Sequence, residues 1–181
     1  MDEYALEAKE KMQKSVDVLK NSLSTLRTGR ANAAILSGIE VDYYGYPTPI
    51  NQIASISIPE PRQLLIKPYS KDDVKAIVSA INASNIGLNP INEGLSIRLL
   101  IPVLTEERRR DLSKQAKKYG EETKVAIRNI RRDYIDLVDL DEDLSEDYQK
   151  RAKDDIQKVT DEAIKNVDSV VGEKEKEIME L

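Results

Sequence analysis

Arg128, Arg131 and Arg132 stand within five residues of one another in the segment KVAIRNIRRD, positions 124–133. Guanidinium groups at that density repel one another unless something negative compensates. They also present planar, paired donors that fit phosphate oxygens and stack on bases. A polyanion outside the chain is one source of compensation; neighbouring carboxylates such as Asp133 are another. The spacing leaves both open. Covalent chemistry has far less to work with, because the chain has no histidine and no cysteine. That removes the usual general bases, nucleophiles and transition-metal ligands. Carboxylates could still do acid–base work, but only by converging in a pocket. The acidic run DLDEDL, Asp139 to Leu144, does not have the spacing of a calcium loop and reads as a solvated turn. No glycine-rich phosphate loop is present. The expectation is a binding protein that is not an enzyme and uses no cofactor or metal.

Apolar periodicity supplies the scaffold for the arginines. From residue 105 to about 138, Leu112, Ala116, Tyr119, Thr123, Ile127, Ile130, Tyr134 and Leu137 form one helical stripe. Thr105 suits its N-cap, and Glu106 and Glu107 suit the positive end of its dipole. With that stripe facing inward, a helical wheel puts Arg110, Lys114, Lys117, Lys124, Arg128 and Arg131 on the outer side or flank. Arg109 falls nearer the apolar edge and Arg132 on the far side. Gly120, inside the helix, costs about 1 kcal/mol against alanine and is expected to permit close packing.

Two further stripes match it. Ala5, Ala8, Met12, Val16, Leu19, Leu23 and Leu26 mark a helix over residues 3–28, stopped by Gly29. Ser145 caps another, with Tyr148, Ala152, Ile156, Val159, Ala163, Val167 and Val170 inward. Tyr148, Val159, Val170 and Leu181 recur at steps of eleven. Each stripe is too narrow to stand alone in water, so the three bury one another as a bundle. The second and third helices should each be about 50 Å long.

Residues 31–104 differ in character. Six of the seven prolines lie between Pro47 and Pro90, and Pro102 is the seventh. Ile39–Tyr44, Ile53–Ile58, Gln63–Lys67 and Leu95–Ile101 read as strands, with YGYPTPI as the turn between the first two. Ser70 should cap a short helix carrying Val74, Ile77, Val78 and Ile81. Tyr43, Tyr44 and Tyr46 could stack on bases, but tyrosines near such a turn more often pack on their own module.

The fold class expected is α+β: a long three-helix bundle, 1–29 with 105–181, and an inserted small β/α/β domain, 30–104. Two chain crossings, at Gly29–Arg30 and at Pro102–Val103–Leu104, should make a hinge.

Charge is unevenly spread. The net charge of −5 combines +4 over residues 105–135 with −9 over residues 136–181. An acidic protein can therefore still dock on RNA through a basic face. The basic stripe could equally be solvated, or paired with the acidic third helix. A coiled-coil adaptor for a protein partner is the rival reading; it expects an exposed apolar seam. No stretch approaches the roughly 20 apolar residues of a membrane helix, and the charged N-terminus has no signal core. The absence of cysteine fits a reducing compartment, so a cytoplasmic location without membrane contact is expected.

LRTGRA (26–31), VDYYG (41–45), GLNP (87–90), LTEERR (104–109), KVAIRNIRRD and the closing KEKEIMEL together resemble the ribosome recycling factor family, in order and over nearly the whole chain. The resemblance implies an L shape close to that of transfer RNA. It implies binding to the large ribosomal subunit after termination, through ribosomal RNA. It further implies splitting of the ribosome together with elongation factor G and its GTP hydrolysis, by a factor that performs no chemistry itself and acts as a monomer. By motif, the family's RNA-contacting arginines fall on Arg109, Arg128 and Arg131. The wheel adds Arg132, Asn129, Lys117 and Lys124. The connection between the second and third helices is shorter and more acidic than the family's usual one.

Overall fold

The computed structural model describes residues 1–180. They divide into two compact units, Met1–Arg27 with Thr105–Glu180, and Thr28–Leu104.

The first unit is three helices: α1 (Glu3–Ser24), α4 (Glu106–Leu140) and α5 (Glu146–Met179). Each begins at a capping side chain. Asp2, Thr105 and Ser145 accept from the backbone amides of Ala5, Arg108 and Tyr148, at 3.2, 3.1 and 3.2 Å. Packing then follows the stripes. Met12, Leu19, Leu112, Ile127 and Ile156 are among the largest side chains fully enclosed.

α1 stops before Gly29. The hydroxyls of Ser24 and Thr25 donate back to the carbonyls of Asn21 and Ser22, both at 2.6 Å, and the last amides tighten to i−3 acceptors. Hydroxyls competing for helix carbonyls end it sooner than the apolar pattern suggests. In α4 the buried seam runs through Leu112, Ala116, Gly120, Ile127, Tyr134 and Val138. Tyr119 and Thr123 are half-buried beside it, and Leu137 is 47% exposed. Gly120 sits in the seam for a steric reason: a Cβ there would lie 2.7 Å from Val171 Cγ2 of α5. In α5, Tyr148 is turned outward and Val170 only half-buried. Leu181, the last member of the eleven-residue series, lies outside the described residues.

The second unit contains β1 (Glu40–Tyr43), β2 (Tyr46–Pro49), the one-turn α2 (Ile50–Ile53), β3 (Ala54–Glu60), β4 (Gln63–Pro68), α3 (Val74–Ala83), β5 (Ile91–Asn92) and β6 (Ile97–Leu100). β1 and β2 form a two-stranded sheet; the others form an antiparallel sheet ordered β3-β4-β6-β5. Leu64, Ile66, Ile97 and Leu99 of the central strands and Ile77 and Ile81 of α3 form the middle of one apolar core.

Three expectations change here. YGYPTPI is mostly strand: only Tyr44 and Gly45 turn, both at positive φ (51° and 84°). A two-residue turn makes Tyr43↔Tyr46 a hydrogen-bonded pair, so Pro47 and Pro49, opposite Asp42 and Glu40, fall at positions that donate nothing to β1. The fourth predicted strand shortens to Ile97–Leu100 and is preceded by an unexpected two-residue strand, Ile91–Asn92, pairing with Ile97–Arg98. Ser70 precedes a 3-10 turn (Lys71–Asp73) that leads into α3, and its side chain makes no capping hydrogen bond.

Candidate nucleic-acid interface

Two parallel rows one residue apart run along α4, with the same steps of seven, four and three. Lys117, Lys124, Arg128 and Arg131 make the first; Lys118, Val125, Asn129 and Arg132 make the second. The buried seam decides which row faces out. Lys118, Val125, Asn129 and Arg132 are all exposed, so they form the crest, and Lys117 to Arg131 lies on the flank toward α5.

On that flank, availability changes from residue to residue. Lys117 and Arg128 are exposed and make no hydrogen bond or ion pair among the described residues. Lys124 is only 17% exposed; its ammonium lies 2.6 Å from Asp168 Oδ1 and 3.5 Å from Glu121 Oε1. The hydrogen bond to Asp168 holds it above the usual lysine range, against the burial that lowers it. Lys124 is therefore an internal cation of the α4–α5 edge and not an outward one. Arg131 is half-buried, and its Nε donates to Gln157 Oε1 at 2.7 Å. Gln157 in turn donates to Asp161 Oδ1 at 2.9 Å, so Arg131 is held by α5. A groove of about 300 Å³ opens between these helices, lined by Lys117, Gly120, Lys124, Asp168 and Val171 among others.

On the crest, Arg132 Nη2 donates to Asn129 Oδ1 at 2.9 Å, which aligns the two side chains as one outward group. Arg110 pairs with Glu106 at 2.7 Å, both in open solvent. Arg109, on the first turn, is half-buried, and its Nε is enclosed without an acceptor among the described residues. An enclosed donor left without a partner costs about 1–3 kcal/mol.

Sequence reasoning missed Lys118 and Val125. Lys118 is exposed without an ion pair among the described residues, and Val125 is 53% exposed in the middle of the crest. Their signal was the 7-4-3 spacing, repeated one residue later. The residues expected at the chain crossings also differ in exposure. Gly29 is buried, whereas Arg30, Pro102 and Val103 are exposed and Leu104 is half-buried.

The arrangement offers cations and an amide on one side of a rigid rod, next to an apolar side chain. That suits a phosphate backbone with its sugars and bases.

Comparison with known proteins agrees with the motifs. The ribosome recycling factor family profile matches residues 19–179. The ribosome-recycling factor of Staphylococcus carnosus (strain TM300) is 50% identical over 184 residues, spanning all of both chains. That of Streptococcus mutans is 53% identical over 177 residues, covering 96% of each. A solution structure of the ribosome recycling factor superposes with a TM-score of 0.77 at 40% identity, covering all of both chains. A second structure describes models for the T. thermophilus ribosome recycling factor and the E. coli elongation factor G bound to the E. coli post-termination complex. Its matching chain gives a TM-score of 0.63 at 47% identity, covering 98% of this chain and 97% of that one. The chain belongs to the ribosome recycling factor family, whose members are non-enzymatic translation factors.

Proposed function

We propose that this protein binds the ribosome after termination and, with elongation factor G and GTP, separates it into subunits for a new round of translation. In this reading α4 docks on the RNA of the large subunit. Arg128, Arg132, Asn129 and Lys117 make the direct contacts. Arg131 contributes from its seat against Gln157, and Arg109 gains an acceptor for its enclosed Nε. Lys124 supports the row by neutralising Asp168 beside it. The observation that carries the reading is an exposed cationic face on a long helix, in a chain that matches the family along its length. The description of the E. coli complex, which names a recycling factor and elongation factor G together, supports the choice of partner.

The same reading makes Gly29, Arg30, Pro102, Val103 and Leu104 the hinge between a ribosome-binding bundle and an inserted domain, in a monomer working in the cytoplasm. Light scattering of purified ribosomes tests the function. Scattering should fall when the protein, elongation factor G and GTP are all present, and hold steady when any one is omitted. Undiminished scattering with all three would overturn the proposal.

A further inference from the structure

Arg131 is anchored differently from Lys124 and Lys153, which also bridge α4 and α5. Lys124 meets Asp168 and Lys153 meets Asp139, so each of those charges is answered by a carboxylate of the other helix. The Nε of Arg131 instead donates to the amide oxygen of Gln157 at 2.7 Å, and Arg131 makes no ion pair among the described residues. Gln157 is half-buried, and its amide nitrogen donates to Asp161 Oδ1, one helical turn further along α5, at 2.9 Å. Only one orientation of the amide satisfies both neighbours, with its oxygen toward the guanidinium and its nitrogen toward the carboxylate.

A neutral acceptor changes what the guanidinium can do. A carboxylate beside Arg131 would fix its position and cancel its charge at the same time, as Asp168 does for Lys124. The amide fixes the position and leaves the charge whole. Only the Nε donor is used. Nη1 and Nη2 make no hydrogen bond among the described residues, and together they can grip a phosphate as a two-pronged pair. A side chain already seated also loses less freedom on docking than a free one. α5 places this amide in acidic company: Asp154, Asp155, Asp161 and Glu162 surround position 157 in sequence, yet the position that reaches Arg131 is glutamine.

We propose that Gln157 is a positioning residue for RNA docking. It holds the Arg131 guanidinium at the α4–α5 edge without neutralising it, so that Nη1 and Nη2 meet a phosphate of the large-subunit RNA. The role rests on the function proposed above, which makes α4 the docking helix. It extends that interface to a residue of α5 that acts through Arg131.

Gln157→Glu separates charge from position, because it keeps the side-chain length and the acceptor oxygen and adds a negative charge. Cosedimentation with purified large ribosomal subunits across salt concentrations should show about tenfold weaker binding and a log affinity–log salt slope flattened by about one. The melting temperature should stay within about 3 °C of the native protein's. A purely structural role predicts native-like binding, since glutamate holds an arginine at least as firmly. Gln157→Leu, which frees the guanidinium and keeps its charge, should weaken binding about threefold and leave the slope alone. Added to Arg131→Ala, Gln157→Glu should cost less than about a further twofold. Native-like binding by Gln157→Glu, with Arg131→Ala weakened, would overturn the role of Gln157 alone. So would an undiminished loss in the Arg131→Ala background, because the new charge would then repel RNA without acting through Arg131. Native-like binding by Arg131→Ala would instead contradict the reading of Arg131 as an RNA contact, and the role of Gln157 would fall with it.

Discussion

Lys124 and Arg128 are one helical turn apart on α4, yet their surroundings give them different work. Lys124 is spent on Asp168 and Glu121, whereas Arg128 has no partner among the described residues. Arg128→Ala should therefore weaken binding to large ribosomal subunits about tenfold and leave the melting temperature unchanged. Lys124→Ala should behave the other way, costing under about 1 kcal/mol of stability by thermal unfolding, since Asp168 is well exposed. A helical wheel drawn from sequence separates inward from outward. It does not show that a cation on the flank has a carboxylate of the next helix within reach. That is why the wheel places Lys124 and Arg131 on the outer side or flank without revealing that α5 holds them there, whereas Arg132, set on the far side, is exposed on the crest. At the other end of the bundle, the Tyr4 hydroxyl donates to Asp141 Oδ2 at 2.7 Å. That hydrogen bond to Asp141, with burial and nearby acids, pushes the phenol up to about 12. The folded value lies above the unfolded one, so the hydrogen bond stabilises fully below about pH 10 and fades as pH rises toward 12. Ultraviolet difference titration should show Tyr4 ionising late, together with Tyr148, whose phenol a hydrogen bond to Asp2 also pushes up, and Asp141→Asn should bring Tyr4 alone back toward the others.

At the scale of elements, caps and close approaches set what the stripes leave open. Thr105 starts α4 through a single side-chain hydrogen bond, and Thr105→Ala should cost about 1 kcal/mol in denaturant unfolding. Gly120→Ala sets two effects against each other. The helix gains about 1 kcal/mol of propensity, but the new methyl meets Val171 Cγ2 at 2.7 Å, and a β-branched side chain has little freedom to yield. Overpacking of this kind costs roughly 1–3 kcal/mol, so the variant should melt lower, and adding Val171→Ala should recover much of the deficit. The bundle was legible in the sequence because the apolar steps of α1, α4 and α5 are long and regular, and because Thr105 and Ser145 stand where caps belong. The inserted module was legible in part. β2 was hidden because Pro47 and Pro49 look like turn residues, and only the register of a two-residue hairpin makes them compatible with a strand. The end of α1 was hidden because Leu26 continues the pattern after the backbone has left the helix.

At the scale of the whole molecule, charge is the main constraint on docking. Residues 105–135 carry +4 and residues 136–181 carry −9, so an RNA surface attracts one side of the bundle and repels another. That asymmetry favours a single docking orientation. The proposed hinge makes a separate claim about motion. Because the chain has no native cysteine, one engineered pair can join the two units without competing thiols. The joined protein should bind large subunits as the unmodified one does and fail to split ribosomes; full splitting would argue against a required rotation. The claim on which the rest depends is that α4 meets RNA, and its salt dependence tests that most directly. Cosedimentation with purified large subunits, measured across salt concentrations, should give a steep fall of log affinity with log salt for the native protein. Arg128→Ala with Arg132→Ala should lower the affinity and flatten that slope by roughly one to two, one for each phosphate that the protein no longer neutralises, at unchanged helix content. The same affinity and the same slope in the double variant would contradict an RNA-docking role for α4.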